Sequence, residues 1–193
     1  FGVSAQPAQH AAYVDQSRTL AAALYVASLL DVFVGDPRVQ LACYTNPIHR
    51  WYGSLLTDTD QGLVTTPSYH VYALYRRRFE RQLVAVRVAT PTFDAPQLGL
   101  VRARRALPDL VARASLSADG RRLTAMLVNR SLERGLRTTV TLQGFAARKL
   151  DCQVLTAPSA AAVYGPRLSA TTEASATPIE PRPIACSGRT AIT

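Results

Sequence analysis

The first part of the chain shows two helical patterns separated by one short apolar run. Ser17 can cap a helix covering about 18–34, and Gly35 suits the position that follows its last turn. Apolar residues lie on nearly all sides of this segment, which predicts a helix buried on more than one face. The almost continuous apolar run Val39–Tyr44 predicts a strand buried on both faces, as in a parallel sheet.

A second helix is predicted from Thr66 and Pro67, an N-cap residue followed by proline at the first helical position. It should run to about Arg81, where several arginines suit the negative end of the helix dipole. Its apolar stripe recurs at helical spacing and consists of Val71, Leu74, Tyr75 and Phe79.

Beyond Gln82 the apolar period changes from about 3.6 to about 2 residues, which indicates strands. The predicted strands are 84–88, 110–116, 123–128, 136–142 and 154–155, with a last one within 184–192. Asp119-Gly120 is a hairpin signal between two of them. The segment 123–128 is apolar on both faces, so we expect a central strand with Leu127 in the core. The stretch 157–183 is rich in Ala, Ser, Thr and Pro and predicts loop.

These patterns predict an α+β fold divided near residue 82. Residues 1–82 read as helix, buried strand and helix, the arrangement of an α/β protein. Residues 83–193 read as an antiparallel β-sandwich of about six to eight short strands.

Composition narrows the class of protein. Of 193 residues 48% are apolar and 18% charged, which excludes an intrinsically disordered chain. The longest apolar run, Leu20–Val34, is shorter than the roughly 18 residues of a membrane span, so no membrane partner is expected. The chain begins at Phe1 and shows no signal peptide, which suggests a piece of a longer protein. A cytoplasmic location is expected, with secretion as the alternative.

The charge balance is basic, with 22 Lys+Arg against 13 Asp+Glu and a net charge of +9. Lys149 is the sole lysine, and the densest arginine clusters lie at 76–81 and 102–105. Such a charge can recruit nucleic acid, which gives one alternative function. The absence of a recognisable reader motif in the sequence argues against it.

Three cysteines, Cys43, Cys152 and Cys186, stand far apart in the sequence. Their odd number and long spacing predict neither a zinc site nor a disulfide framework, and they fit a reducing compartment. Cys43 lies within the apolar run and is expected to be a small buried hydrophobic residue.

Candidate binding residues follow the predicted strand 39–44, because ligands bind at the carboxyl ends of strands in α/β proteins. Asn46 is an amide just past that strand, His49 follows it, and Trp51 can form a platform for a sugar ring. Local packing within a loop is the alternative role for all three. The histidines lack metal-ligand spacing and no carboxylate pair is recognisable, so we predict no metal, no cofactor and no catalytic residue in this chain.

The order of several segments resembles the C-terminal region of family 51 α-L-arabinofuranosidases. The matching segments are SRTLAAAL (17–24), VQLA (39–42), TPSYHVYALY (66–75), ASLSADG (114–120), NR (129–130) and VLT (154–156). The helix start at 66–75 followed by the hairpin at 114–120 is the most specific part.

The resemblance implies the last elements of a (β/α)8 barrel in residues 1–82 and a C-terminal β-sandwich in residues 83–193. It implies a retaining glycosidase acting on arabinose-containing saccharides, with two catalytic glutamates on upstream barrel strands that have no match here. Asn46 stands where the family often has a glutamine near the sugar. An oligomeric parent or self-association is a further expectation. A stand-alone carbohydrate-binding or structural β-sandwich is the main alternative.

Overall fold

The structure is a computed structural model that describes residues 15–49, 53–59, 62–164, 174–175 and 179–186. Within these residues lie the helices α1 (Leu20–Gly35) and α2 (Pro67–Arg78), accompanied by short strands. The strands are β1 (Ile48–His49), β2 (Leu56–Thr59), β3 (Gly62–Thr65), β4 (Gln82–Val84), β5 (Thr92–Ala95), β6 (Arg104–Pro108), β7 (Leu110–Leu116), β8 (Leu123–Asn129), β9 (Gln153–Val154), β10 (Val163–Tyr164), β11 (Ala174–Ser175) and β12 (Arg182–Pro183). The fold is therefore mixed α+β.

Both helices begin at a threonine N-cap, because its hydroxyl can accept a bond from a free N–H group of the first turn. In α2, Thr66 Oγ1 accepts from Tyr69 N at 3.3 Å, and Pro67 opens the helix as predicted. In α1, Thr19 Oγ1 accepts from Ala22 N at 3.2 Å. The N-cap of α1 is thus Thr19 and not the predicted Ser17.

The antiparallel sheet β4-β7-β8 forms the centre of the β-rich part. Strands β7 and β8 pair over their full lengths, from Leu110 opposite Asn129 to Leu116 opposite Leu123. Their connection turns at Gly120, which has a φ of +69°, a conformation that glycine adopts without a steric penalty. The hairpin predicted at Asp119-Gly120 is confirmed.

The other strands form smaller sheets. Strand β2 pairs with β1 in parallel and with β3 in antiparallel orientation, next to the start of α2. Strands β5 and β6 form an antiparallel hairpin. Farther along the chain, β9 pairs antiparallel with β12, and β10 pairs parallel with β11.

The hydrophobic core lies where α1 meets α2 and the sheet. It consists of Leu20, Ala23, Val26, Ala27, Leu30, Val71, Val128 and Ile179. These residues come from both sides of position 82, so the two halves share one core in this chain. Helix α1 is buried along one broad face, while Tyr25 and Val32 remain exposed. Within the described residues neither helix is long and apolar enough to cross a bilayer.

The predicted buried strand Val39–Tyr44 is wrong for this chain. The segment is irregular, and Leu41 is 81% exposed. A parallel strand needs hydrogen-bonding neighbours, and in the described residues no strand lies beside this one. The helix–strand–helix arrangement is therefore present only as two helices with an exposed irregular connection.

Two predictions for the β-rich part are also wrong. Residues 136–142 are irregular rather than a strand. Leu127 is 41% exposed, whereas its neighbour Val128 is buried against the helices. Strand β8 is an edge strand rather than the predicted central one, and its sheet packs against the helices on one face, so Leu127 on the opposite face is open to solvent.

The cysteines differ from expectation as well. Cys43 is exposed, because its segment has no cover, and it is a free thiol. Cys152 and Cys186 are joined as a disulfide, with Cα atoms 6.4 Å apart. Their 34-residue separation in sequence hid a proximity that the β9–β12 pairing creates.

Candidate functional site

The candidate site lies where the chain leaves the exposed connection and enters β1. Tyr44 packs edge-on against Tyr72 of α2, with ring centroids 5.4 Å apart. Burial raises the pKa of both phenols above the usual value, so both are neutral at pH 7. An apolar cleft beside them is lined by Val26, Leu29, Leu30, Phe33, Tyr44 and Tyr72. The cleft offers an aromatic, uncharged surface.

Asn46 stands in the turn that follows Tyr44. Its φ is 57°, a left-handed conformation that asparagine adopts more readily than most residues, and it is exposed. The next residue, Pro47, anchors the turn through its carbonyl, which accepts from Leu56 N at 2.9 Å. The fixed turn presents the Asn46 amide, which can donate and accept hydrogen bonds at sugar hydroxyls.

His49 is placed differently, in the short parallel ladder between β1 and β2. It pairs opposite Thr57 and is half-buried. Its carbonyl accepts from Ser54 Oγ at 3.3 Å. The structure brings Asn46 and His49 onto one turn-and-strand segment, with Asn46 the more exposed. Trp51 lies outside the described residues.

Buried hydroxyl groups hold this segment in place through hydrogen bonds. Thr66 Oγ1 donates toward the carbonyls of Ser54 and Leu55, at 3.2 and 3.0 Å, while it caps α2. Ser54 Oγ lies 3.4 Å from Thr57 Oγ1. Thr66 is predictable from the sequence as a helix cap, whereas Ser54 and Thr57 were not predicted; their signal is small hydroxyl residues just before and within a short strand.

His70 lies on α2 near the same end of the helix. Its ring contacts Tyr69 edge-on, with centroids 5.2 Å apart. Burial lowers the pKa of His70, Glu180 raises it and Arg77 lowers it, with burial the largest effect. His70 is therefore neutral at pH 7.

Many carboxylates bind arginines of the same chain. The ion pairs are Asp15–Arg18, Asp31–Arg113, Asp36–Arg38, Asp109–Arg134, Asp151–Arg78 and Glu80–Arg122. These contacts give the carboxylates a structural role. In the part of the chain that the structure describes, no group of three or more His, Cys, Asp or Glu side chains is placed to hold a metal ion.

Comparison with known proteins gives the family. The sequence model of the alpha-L-arabinofuranosidase C-terminal domain matches residues 1–166. No curated protein matches the chain. Among solved structures, the thermostable GH51 alpha-L-arabinofuranosidase from Thermotoga petrophila RKU-1 matches with a TM-score of 0.68 and 19% sequence identity. The match covers 90% of this chain and 36% of that chain, and at this identity it shows a shared fold. Because the family model spans most of its length, the chain belongs to the alpha-L-arabinofuranosidase C-terminal domain family.

Proposed function

We propose that this chain is the C-terminal portion of an α-L-arabinofuranosidase, a retaining glycoside hydrolase that acts on arabinose-containing polysaccharides or oligosaccharides. The observation that carries the proposal is the family match over residues 1–166. Retaining hydrolysis needs two carboxyl groups about 5 Å apart. Many carboxylates of this chain are instead bound to arginines, such as Asp31 to Arg113 and Asp109 to Arg134. The proposal therefore assigns the catalytic glutamates to a part of the enzyme outside this sequence.

The proposal extends to domain organisation. Residues 1–82 would supply the last helices and strand of a (β/α)8 barrel, and residues 83–193 the C-terminal sandwich. The support is the exposed segment 39–44 between α1 and α2, where Val39, Leu41 and Cys43 all face solvent. An apolar segment of this kind is stabilised when neighbouring strands cover it.

Activity of the isolated chain tests the functional proposal. The purified 193-residue chain should release no arabinose from an aryl α-L-arabinofuranoside. The same chain joined to the upstream part of a barrel of this enzyme family, which carries the two glutamates but lacks the last barrel elements, should release it, whereas that upstream part alone should not. Turnover by the pure isolated chain, lost on substitution of one of its own carboxylates, would contradict the proposal.

Cys43 provides a direct test of the barrel assignment. Its exposed thiol should react rapidly with a maleimide in the isolated chain. Joining the chain to the barrel should slow that reaction at least tenfold, because neighbouring strands would cover the segment 39–44. Cys43→Ser is the matched control for labelling at other cysteines. An equal rate in both forms would show that residues 39–44 do not enter a barrel.

The saccharide contact is proposed for Asn46 and His49, with Trp51 as a third candidate. The support is the fixed left-handed turn that exposes Asn46, two residues after Tyr44 of the Tyr44–Tyr72 aromatic pair. The family match over residues 1–166 favours the enzyme portion over the alternatives of a stand-alone carbohydrate-binding module or a nucleic-acid binder.

A further inference from the structure

We infer that Cys152 and Cys186 form an oxidation-dependent clamp that holds the segment 179–186 against the core. Strands β9 and β12 bring the two cysteines together, with Gln153 opposite Pro183. The bond from Ile184 N to Cys152 O, at 3.0 Å, continues this pairing by one residue. The Cα separation of 6.4 Å lies within the range of roughly 4.4–6.8 Å that disulfides span.

The clamp matters because the strand pairing beside it is weak. Strands β9 and β12 share only the pairs Gln153–Pro183 and Val154–Arg182. Pro183 has no N–H group to donate to the ladder. The disulfide therefore supplies the strongest tie between these two segments.

Both clamped segments reach the hydrophobic core. Ile179, three residues before β12, is 5% exposed and belongs to the core cluster with residues of α1 and α2. Leu155 and Ala157, just after β9, pack against the same cluster. Opening the disulfide would leave Ile179 held by packing and by the short β9–β12 pairing, so the core should loosen at this corner when the bond is reduced.

The bond forms by thiol–disulfide exchange with an oxidant of the glutathione disulfide class. Cys186 is exposed and Cys152 half-buried, so the Cys186 thiolate attacks first and releases one glutathione thiol. The Cys152 thiolate then displaces the second glutathione thiol and closes the bond. The two cysteines lose two electrons and two protons, and one glutathione disulfide becomes two thiols. Cys43, the third cysteine, is free and takes no part in this bond.

The state of the clamp depends on surroundings. Disulfides persist in oxidising compartments and are rare where thiols are kept reduced. The protein should be clamped in the first environment and open in the second. This inference is independent of the proposed glycosidase function, since it concerns a bond within this chain.

Thiol counting tests the clamp directly. After equilibration with glutathione disulfide and an excess of reduced glutathione, which keeps a lone exposed thiol such as Cys43 mostly reduced, and then denaturation, the chain should show one free thiol, and after treatment with dithiothreitol three, the number of its cysteines. Peptide mapping should recover Cys152 joined to Cys186. Three free thiols, glutathione adducts on both cysteines, or a bridge that includes Cys43 would overturn the inference.

Stability measurements test the consequence. Reduction should lower Tm by roughly 5–10 °C and speed hydrogen exchange in 179–186. The matched control Cys43→Ser should respond like the parent chain, whereas the double variant Cys152→Ser/Cys186→Ser should not respond to reductant. If the double variant does not fold, reduction of the Cys43→Ser chain decides the point, and an unchanged Tm and exchange rate would contradict the clamp.

Discussion

At the scale of single residues, Arg113 links the sheet to helix α1. Its Nε lies 3.1 Å from a carboxylate oxygen of the buried Asp31 and 3.2 Å from the Asp31 carbonyl. Replacing Arg113 with methionine leaves that carboxylate without its cation, so we expect a loss of about 1–3 kcal/mol in the free energy of unfolding. Denaturant titration measures it. Arg38→Met, which breaks the exposed pair with Asp36, is the control and should leave stability unchanged.

Tyr75 is a residue whose replacement should raise the free energy of unfolding. Among the described residues its buried hydroxyl has no hydrogen-bond partner, and burial, reinforced by Asp31, raises its pKa to about 12. An unpaired buried hydroxyl is unfavourable, so Tyr75→Phe should raise the free energy of unfolding by about 1 kcal/mol at pH 7.

The same tyrosine predicts alkaline behaviour. The unfolded chain releases the Tyr75 proton near pH 10, and the folded chain retains it to about pH 12. The folded state therefore binds more protons between these values, and stability falls as the pH rises through them. Stability curves from pH 9 to 12 should fall less steeply for Tyr75→Phe than for the parent. Parallel curves would show that Tyr75 does not titrate in this way.

Asn46 allows conformation and chemistry to be separated. Asn46→Gly keeps the left-handed turn available but removes the amide. In the complete enzyme it should reduce kcat/KM by a factor of roughly 5–150, equivalent to about 1–3 kcal/mol, with Tm nearly unchanged. Unchanged kinetics in this variant would assign Asn46 a purely conformational role.

At the scale of elements, the parts with local determinants were the predictable ones. Helix α2 follows from Thr66 and Pro67, which act within one turn, and the β7–β8 hairpin follows from the tight turn at Gly120. The strand predicted at 39–44 is wrong because strand formation depends on neighbouring strands, which the sequence of the segment itself does not specify. The predicted burial of Leu127 is wrong because the residue pattern of β8 cannot reveal whether a second layer covers the outer face of that strand.

The β5–β6 hairpin leads to a prediction about its tip. Leu98 and Val101 bond to each other across a two-residue turn at Gly99, whose φ is +55°. Leu100 is fully exposed there. Leu100→Asp should therefore leave Tm unchanged and raise the soluble fraction. Gly99→Val should lower Tm, since a β-branched residue is strained at that φ. A lower Tm for Leu100→Asp would show that the tip is covered.

At the scale of the whole molecule, the resemblance to known enzymes predicted the family, whereas the pattern of apolar and polar residues predicted the candidate binding residues. The matching segments identified the family, and the family match confirms it. Asn46 and His49 were predicted because they follow the predicted strand 39–44. Both lie on the segment that follows the exposed connection, although residues 39–44 form no strand. The supporting hydroxyls Ser54 and Thr57 were not predictable, because their burial depends on how β1–β3 pack beside α2.

The chain has an exposed apolar segment, residues 39–44, and a net charge of +9. The two features have opposite effects on association between copies of the chain. Leu41 is 81% exposed, three residues before Tyr44, which lines the apolar cleft with Tyr72, and exposed apolar surface favours association between copies. The shared positive charge repels, but salt screens this repulsion over about 10 Å at 0.1 M. Association of the isolated chain should therefore strengthen from about 0.05 to 0.5 M salt, with sedimentation velocity as the measurement. Leu41→Asp should abolish it, while Leu100→Asp, an equal change on the distant hairpin tip, should not. Association that weakens with salt would instead indicate ion pairing between copies.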